Sequence, residues 1–243
     1  MGEDVIFFHV PFYRVFLFRK KRKKVMKRKS IFKLTVLALL SAIGVILMSY
    51  LQIPYPIAPF LKIEFSDFVV IFAFLLFGFK ESLIVALVKT GCDLLIRGPE
   101  VGGVFPFVAH LTALIASLSY VFALWLVSKF FKSEKVYQKI LKYSLVVLIV
   151  STIMTFANYT ILTPLFLGEV SFFGIGLSEN TMGMITNLTG MNNFFLAIAF
   201  LYLPFNLLKG TCISVIAVGI GDTLLSMYKK KLKIGDEGLE ENN

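Results

Sequence analysis

Asn158, Asn206 and Lys209 are the residues of this sequence whose type and placement best suit recognition of a small polar molecule. Asn206 and Lys209 are three apart and share one helix face, and Asn158 sits at similar depth, by count, near the outer end of another apolar stretch. An amide supplies two donors and an acceptor, and an ammonium supplies three donors. Together they could read the polar edge of a flat heterocycle. Phe156, Tyr159, Phe205 and Leu207 lie beside them and could form part of an apolar wall. The same three polar groups could instead hydrogen-bond between helices, and the residues alone leave both uses open.

Other ionisable groups inside apolar stretches are few. Each costs about 2.5–3.5 kcal/mol to insert into hydrocarbon, so each needs a reason to be there. Lys89 and Asp93 are four apart and are expected to pair on one face of their helix. His110 is expected to be hydrogen-bonded within a helix bundle, and Asp222 to lie near the lysines at 229–231 in a snorkelling or subunit-contact role. Signatures of catalysis are missing: there is no nucleophile elbow, Walker loop or HExxH, and the two histidines, His9 and His110, are not at ligand spacing. No catalytic residue, metal ligand or bound cofactor is therefore assigned. Cys92 and Cys212 fall in apolar segments as small hydrophobes, without a disulfide framework.

The elements that must carry these residues are membrane helices. Of the 243 residues 57% are hydrophobic and 16% charged, and the mean hydropathy is +0.81. That balance excludes an ordinary soluble domain. Apolar spans are expected at 31–51, 67–77, 81–96, 106–131, 143–162 and 205–227, with a short or re-entrant piece before Pro204. Three prolines at 54, 56 and 59 make the 52–66 connection extended, and Asp67 or Ser66 is expected to cap the second span.

The net charge of +10 is explained by topology rather than by nucleic acid. Eleven lysines and arginines precede residue 34, and others cluster at Lys80, at 129–142 and after 228. The fold class expected is thus an all-α integral membrane protein, a six-helix transmembrane bundle with both termini cytoplasmic. Residues 1–30 form a basic cytoplasmic or interfacial extension that contacts membrane lipid, 31–228 the transmembrane domain, and 229–243 a basic then acidic tail. The tail composition, DEGLEENN, predicts no regular structure. Small residues at 38, 41 and 42 make one stripe on the first span, suited to close approach of another helix or to internal packing.

Four features together resemble the S components of energy-coupling factor (ECF) vitamin transporters, and within them the riboflavin-specific type. They are the Ala38-to-Ala42 AxxxA, the loop PFLKIEFSD, the asparagine of FANYTILTP, and PFNLLKG at the opening of the last helix. The resemblance runs from about residue 33 to 228. It implies a non-enzymatic membrane subunit that takes riboflavin from outside and works with a transmembrane coupling subunit and two cytosolic ATPases. It further implies that Asn158, Asn206 and Lys209 bind the flavin, with Leu61, Lys62, Ile63 and Phe65 contributing from a 52–66 lid. Ala38 and Ala42 would face the coupling subunit. Thiamin, biotin, folate or pantothenate are the alternative vitamins within the family, and a membrane enzyme or a structural protein without a vitamin ligand the alternatives outside it. The extension at 1–30 falls outside the resemblance, with Met26 as a second possible start.

Overall fold

The computed structural model describes residues 12–98, 107–131 and 135–240. Its elements run α1 (Phe12–Tyr50), β1 (Gln52–Tyr55), β2 (Ala58–Glu64), α2 (Asp67–Phe77), α3 (Phe79–Arg97), α4 (Val108–Ser128), α5 (Val136–Ala157), a π-helical turn (Asn158–Leu162), α6 (Thr163–Phe166), α7 (Glu179–Thr189) and α8 (Phe194–Glu240). The chain divides into two units, one ending at Leu39 and one starting at Leu40; all packing discussed below lies within the second.

Among the described residues, four helical stretches are long and apolar enough to cross a membrane: Ser30–Tyr50, Val108–Ser128, Val136–Phe166 and Phe194–Tyr228. α2 has the expected bounds but only 11 residues, and α3 has 19 residues including Lys89, Asp93 and Arg97. Gly78, with φ of 94°, turns the chain sharply between them, a conformation that a side chain would strain.

Several boundaries differ from the sequence expectation, and prolines account for two of them. α8 runs unbroken through Pro204, so no re-entrant piece precedes the last span. Likewise α5 continues past Thr163 and Pro164 through the π turn into α6. A proline removes one N–H, whereas ending the helix in apolar surroundings would leave several backbone groups unpaired, so continuity costs less. Of the lysine-rich stretch 129–142 expected as a loop, residues 136–142 form the first turns of α5, and α8 persists to Glu240 within the acidic tail. Residues 1–11, 99–106, 132–134 and 241–243, which include part of the N-terminal extension, the start assigned to the fourth span and most of the RGPEVGG connection, lie outside the described residues. So does the side chain of Asp222.

The Pro-rich connection is a two-stranded antiparallel hairpin, a small exception to the all-α expectation. Gln52 pairs with Glu64, Ile53 with Ile63 and Pro54 with Lys62, and an irregularity follows at Tyr55. With only two strands each has a free edge, which is where proline is tolerated.

Two packed clusters hold the bundle. One joins α4, α5 and α8 through Tyr120, Leu124, Val146, Val150, Met154 and Ile213, with Ile71 of α2. The other fastens the hairpin and α7 to the start of α8 through Tyr55, Ile63, Ile185, Ile198 and Phe205. Gly44 of α1 is required by close approach: a methyl group there would lie 2.9 Å from Val69 Cγ2 and 3.2 Å from Lys89 Cβ. Between helices in lipid, such contact supplies the attraction that the hydrophobic effect supplies in water.

Outside the spans, the 167–178 loop is pinned to α7 by Glu169. Its carboxylate accepts hydrogen bonds from Ser178 Oγ, Thr181 Oγ1 and the Ser178 backbone N–H. These donors, in that order of effect, hold its pKa below the usual carboxylate range. A carboxylate depressed by folding stabilises the structure above its unfolded pKa, and that contribution is lost as pH falls through the folded value. Acidification through and below the ordinary carboxylate range should therefore increase proteolysis in this loop, and Glu169→Gln should flatten the pH dependence. Identical pH profiles for the two proteins would refute the role given to Glu169.

Candidate functional site

A cavity of about 360 Å³ lies between the hairpin, α4, the α5–α6 continuation and α8. Its size falls within the range of small-molecule sites. Ala109, Thr112, Ala113 and Ala116 line it along one stripe of α4, so that wall is low and even. Met154, Leu162, Phe166, Tyr202 and Phe205 supply bulk from the other helices. From the hairpin come Phe60, Leu61, Lys62 and Glu64; Phe60 stacks on Phe166 with centroids 5.9 Å apart, and Tyr55 meets Phe205 edge-on at 5.4 Å.

Asn158, Asn206 and Lys209 all line this cavity, and all three are buried. Asn158 opens the π turn, in which the Thr163 N–H donates to the Asn158 carbonyl five residues back. Such widened turns are frequent at functional positions. The Asn158 amide donates to Met154 O at 2.8 Å and accepts from Thr163 Oγ1 at 3.3 Å. Two residues beyond Pro204, the Asn206 amide donates to Tyr202 O at 2.8 Å. Each amide is thus fixed by its own helix while retaining one N–H, and Asn206 its oxygen as well, with no partner among the described residues.

Lys209 is held by two carboxylates, Asp67 Oδ2 at 3.1 Å and Glu64 Oε1 at 3.3 Å. Asp67, wholly buried, also receives Lys89 Nζ at 3.0 Å and Ser117 Oγ at 2.6 Å on its other oxygen. Lys89 donates in turn to Ser66 Oγ at 2.6 Å. Two ammonium and two carboxylate groups make this network electrically neutral, which is the condition under which charges persist away from water.

These contacts correct two sequence expectations. Asp67 does not cap α2, and Ser66 at the cap position makes no capping bond with its side chain. Lys89 does not pair with Asp93, although they are four apart. The Lys89 ammonium is committed to Asp67 and Ser66, while Asp93 is taken by Arg97, by Ser49 Oγ at 2.7 Å and by His110 Nδ1 at 3.1 Å. The expectation for His110 is met, since Nε2 also contacts Gly98 O at 3.1 Å.

Of the remaining sequence-derived site residues, Leu61 and Lys62 line the cavity, whereas Ile63 and Phe65 do not. Ile63 is buried in the hairpin cluster, and Phe65, one residue past β2, packs against both clusters. Among the four wall residues only Phe205 lines the cavity. Phe156 is exposed, and Tyr159 packs on Phe173, Phe194 and Phe195. Ala38 and Ala42 are both exposed on α1. Glu64 and the even α4 wall escaped the sequence reading. Carboxylates at 64 and 67 astride the start of an apolar span were the available signal for the first, and Ala109, Ala113 and Ala116 at helical spacing for the second.

The family described as "ECF transporter, substrate-specific component" matches residues 32–221. The chain is 28% identical over 202 residues to a riboflavin transporter RibU of Staphylococcus aureus, covering 82% of this chain and 93% of the relative. It is 29% identical over 185 residues to a riboflavin transporter RibU of Streptococcus thermophilus, covering 75% and 78% respectively. A solved structure, described as the S component of a bacterial ECF transporter, shares the fold with a TM-score of 0.57 at 20% identity, covering 82% of this chain and 99% of that one. With the family match spanning most of the chain, this multi-pass membrane protein belongs to the substrate-specific S components of the ECF transporters.

Proposed function

We propose that the chain is the riboflavin-binding subunit of an ECF-type importer, taking the vitamin from the external side for ATP-driven uptake by the full complex. The observation that carries this reading is the convergence of Asn158, Asn206 and Lys209 on one cavity with an even, small-residue wall. A planar ring needs a flat wall for its face and fixed donors and acceptors for its edge, and these residues meet both needs. The two relatives that carry the riboflavin transporter name support the same cargo.

In this reading the isoalloxazine edge meets the amides and Lys209, and the ribityl chain extends toward Leu61 and Lys62 of the hairpin, which serves as the lid. α2 and α3 complete a six-span bundle, and the lysine clusters support a cytoplasmic position for both termini. The small exposed side chains of Ala38 and Ala42 suit contact with a transmembrane coupling subunit, and two cytosolic ATPases drive the cycle. The basic N-terminal extension suits anionic lipid, not nucleic acid. Riboflavin is cargo rather than cofactor, and we assign the chain no catalytic step.

Protein purified without added vitamin is expected to be yellow. After the endogenous ligand is removed, titration should quench flavin fluorescence to an endpoint of one flavin per chain. Absence of quenching, with saturable binding of thiamin, biotin, folate or pantothenate instead, would move the chain to another vitamin.

A further inference from the structure

Lys209 touches two carboxylates whose situations differ. Asp67 accepts hydrogen bonds from Lys89 and Ser117 on Oδ1, has the Lys209 ammonium 3.1 Å from Oδ2 as an ion pair, and does not line the cavity. Glu64 does line the cavity. Its Oε1 lies 3.3 Å from Lys209 Nζ, and no other side chain among the described residues donates to its carboxylate. A buried carboxylate has about four acceptor positions, so one long ammonium contact leaves Glu64 short of donors. Lys209 in turn donates one N–H to Glu64 and forms an ion pair with Asp67, so its three-donor ammonium keeps an N–H for a ligand.

The cavity therefore presents an acceptor beside a donor on one wall, from Glu64 and Lys209. The complementary ligand edge is an N–H next to a carbonyl, as in a cyclic imide or lactam. Because the four charged groups of the network sum to zero, an additional anion at this end would be unbalanced, and a neutral N–H is the better match.

We propose that Glu64 is a ligand-reading residue: its carboxylate accepts a hydrogen bond from a ring N–H of the cargo, which restricts the site to heterocycles with a neutral N–H adjoining a carbonyl. This rests on the flavin reading above, in which that N–H is the imide N3–H of the isoalloxazine. Its position at the end of β2 also makes the contact depend on the hairpin being seated, so the same bond joins cargo recognition to the lid.

The test uses riboflavin and 3-methylriboflavin, titrated by fluorescence quenching against the wild-type protein, Glu64→Ala and Glu64→Gln. The wild type is expected to bind the methylated analogue at least about tenfold more weakly. A methyl group could be rejected by any neighbour, so the variants decide. In Glu64→Ala riboflavin affinity should fall while that of the analogue stays within about threefold, collapsing the preference. If that variant is not monodisperse, Glu64→Gln, which keeps the volume and loses the charge, should narrow the preference. The assignment is overturned if the wild type binds both flavins equally, or if the full preference survives in Glu64→Ala or, where only it folds, in Glu64→Gln. Failure of the wild type to bind riboflavin at all would instead remove the flavin reading beneath it.

Discussion

Replacing Asp67 with alanine should lower the stability of the detergent-solubilised protein by about 3–5 kcal/mol, the loss expected when one partner of a buried ion pair is removed. Asp67 is the group on which both internal ammonium ions converge, Lys89 at 3.0 Å and Lys209 at 3.1 Å, and Ser117 donates to it as well. Without it Lys89 keeps only the Ser66 hydroxyl and Lys209 only the longer contact to Glu64. The thermal midpoint, followed by loss of the monodisperse peak, should drop by at least about 6 °C. Adding Lys89→Met removes the stranded charge and should recover much of the loss, since an apolar residue of similar volume tolerates burial that an unpaired ammonium does not. A midpoint within about 2 °C of wild type for Asp67→Ala would mean that the network contributes little.

Lys209→Ala should weaken riboflavin binding by at least roughly tenfold, about 1.4 kcal/mol. The substitution takes away the ammonium that lines the cavity, leaving the cavity-lining Glu64 without its ammonium partner and the buried Asp67 behind it with only the Lys89 ammonium. Some loss of stability will accompany it, so affinity is measured on the monodisperse fraction. Asn206→Ala separates the effects: it removes a cavity-lining amide without disturbing any ion pair, and it too should cost at least roughly tenfold. Unchanged affinity in both variants would defeat the assignment of this cavity to the flavin.

The third helix illustrates how a correct local pattern can carry a wrong pairing. Lys89 and Asp93 do lie within one helix at contact spacing, yet each finds a nearer claim elsewhere: Asp67, 22 residues earlier, for the lysine, and Arg97, Ser49 and His110 for the aspartate. An i,i+4 relation states which side chains can meet. It does not state which meeting leaves the fewest charges unpaired, and in a low-dielectric interior that second condition decides.

Prolines misled the sequence reading for a related reason. Pro164 and Pro204 signal helix ends where water can take over the released backbone groups. Within spans such as Val136–Phe166 and Phe194–Tyr228 there is no such solvent, and the helices continue, with Asn158 and Asn206 beside the irregularities.

Hydropathy, the placement of lysines and the three-residue step from Asn206 to Lys209 are properties of short stretches of chain. They were enough to establish a membrane protein and to nominate three groups now found around one cavity. Glu64 beside Lys209, Asp67 between two lysines, and the even wall of α4 depend on which elements abut. Glu64 and Lys209 are 145 residues apart. Only packing of the hairpin and helices brings such groups within hydrogen-bonding distance, because their partners are chosen by burial and charge balance across elements, which no local period encodes.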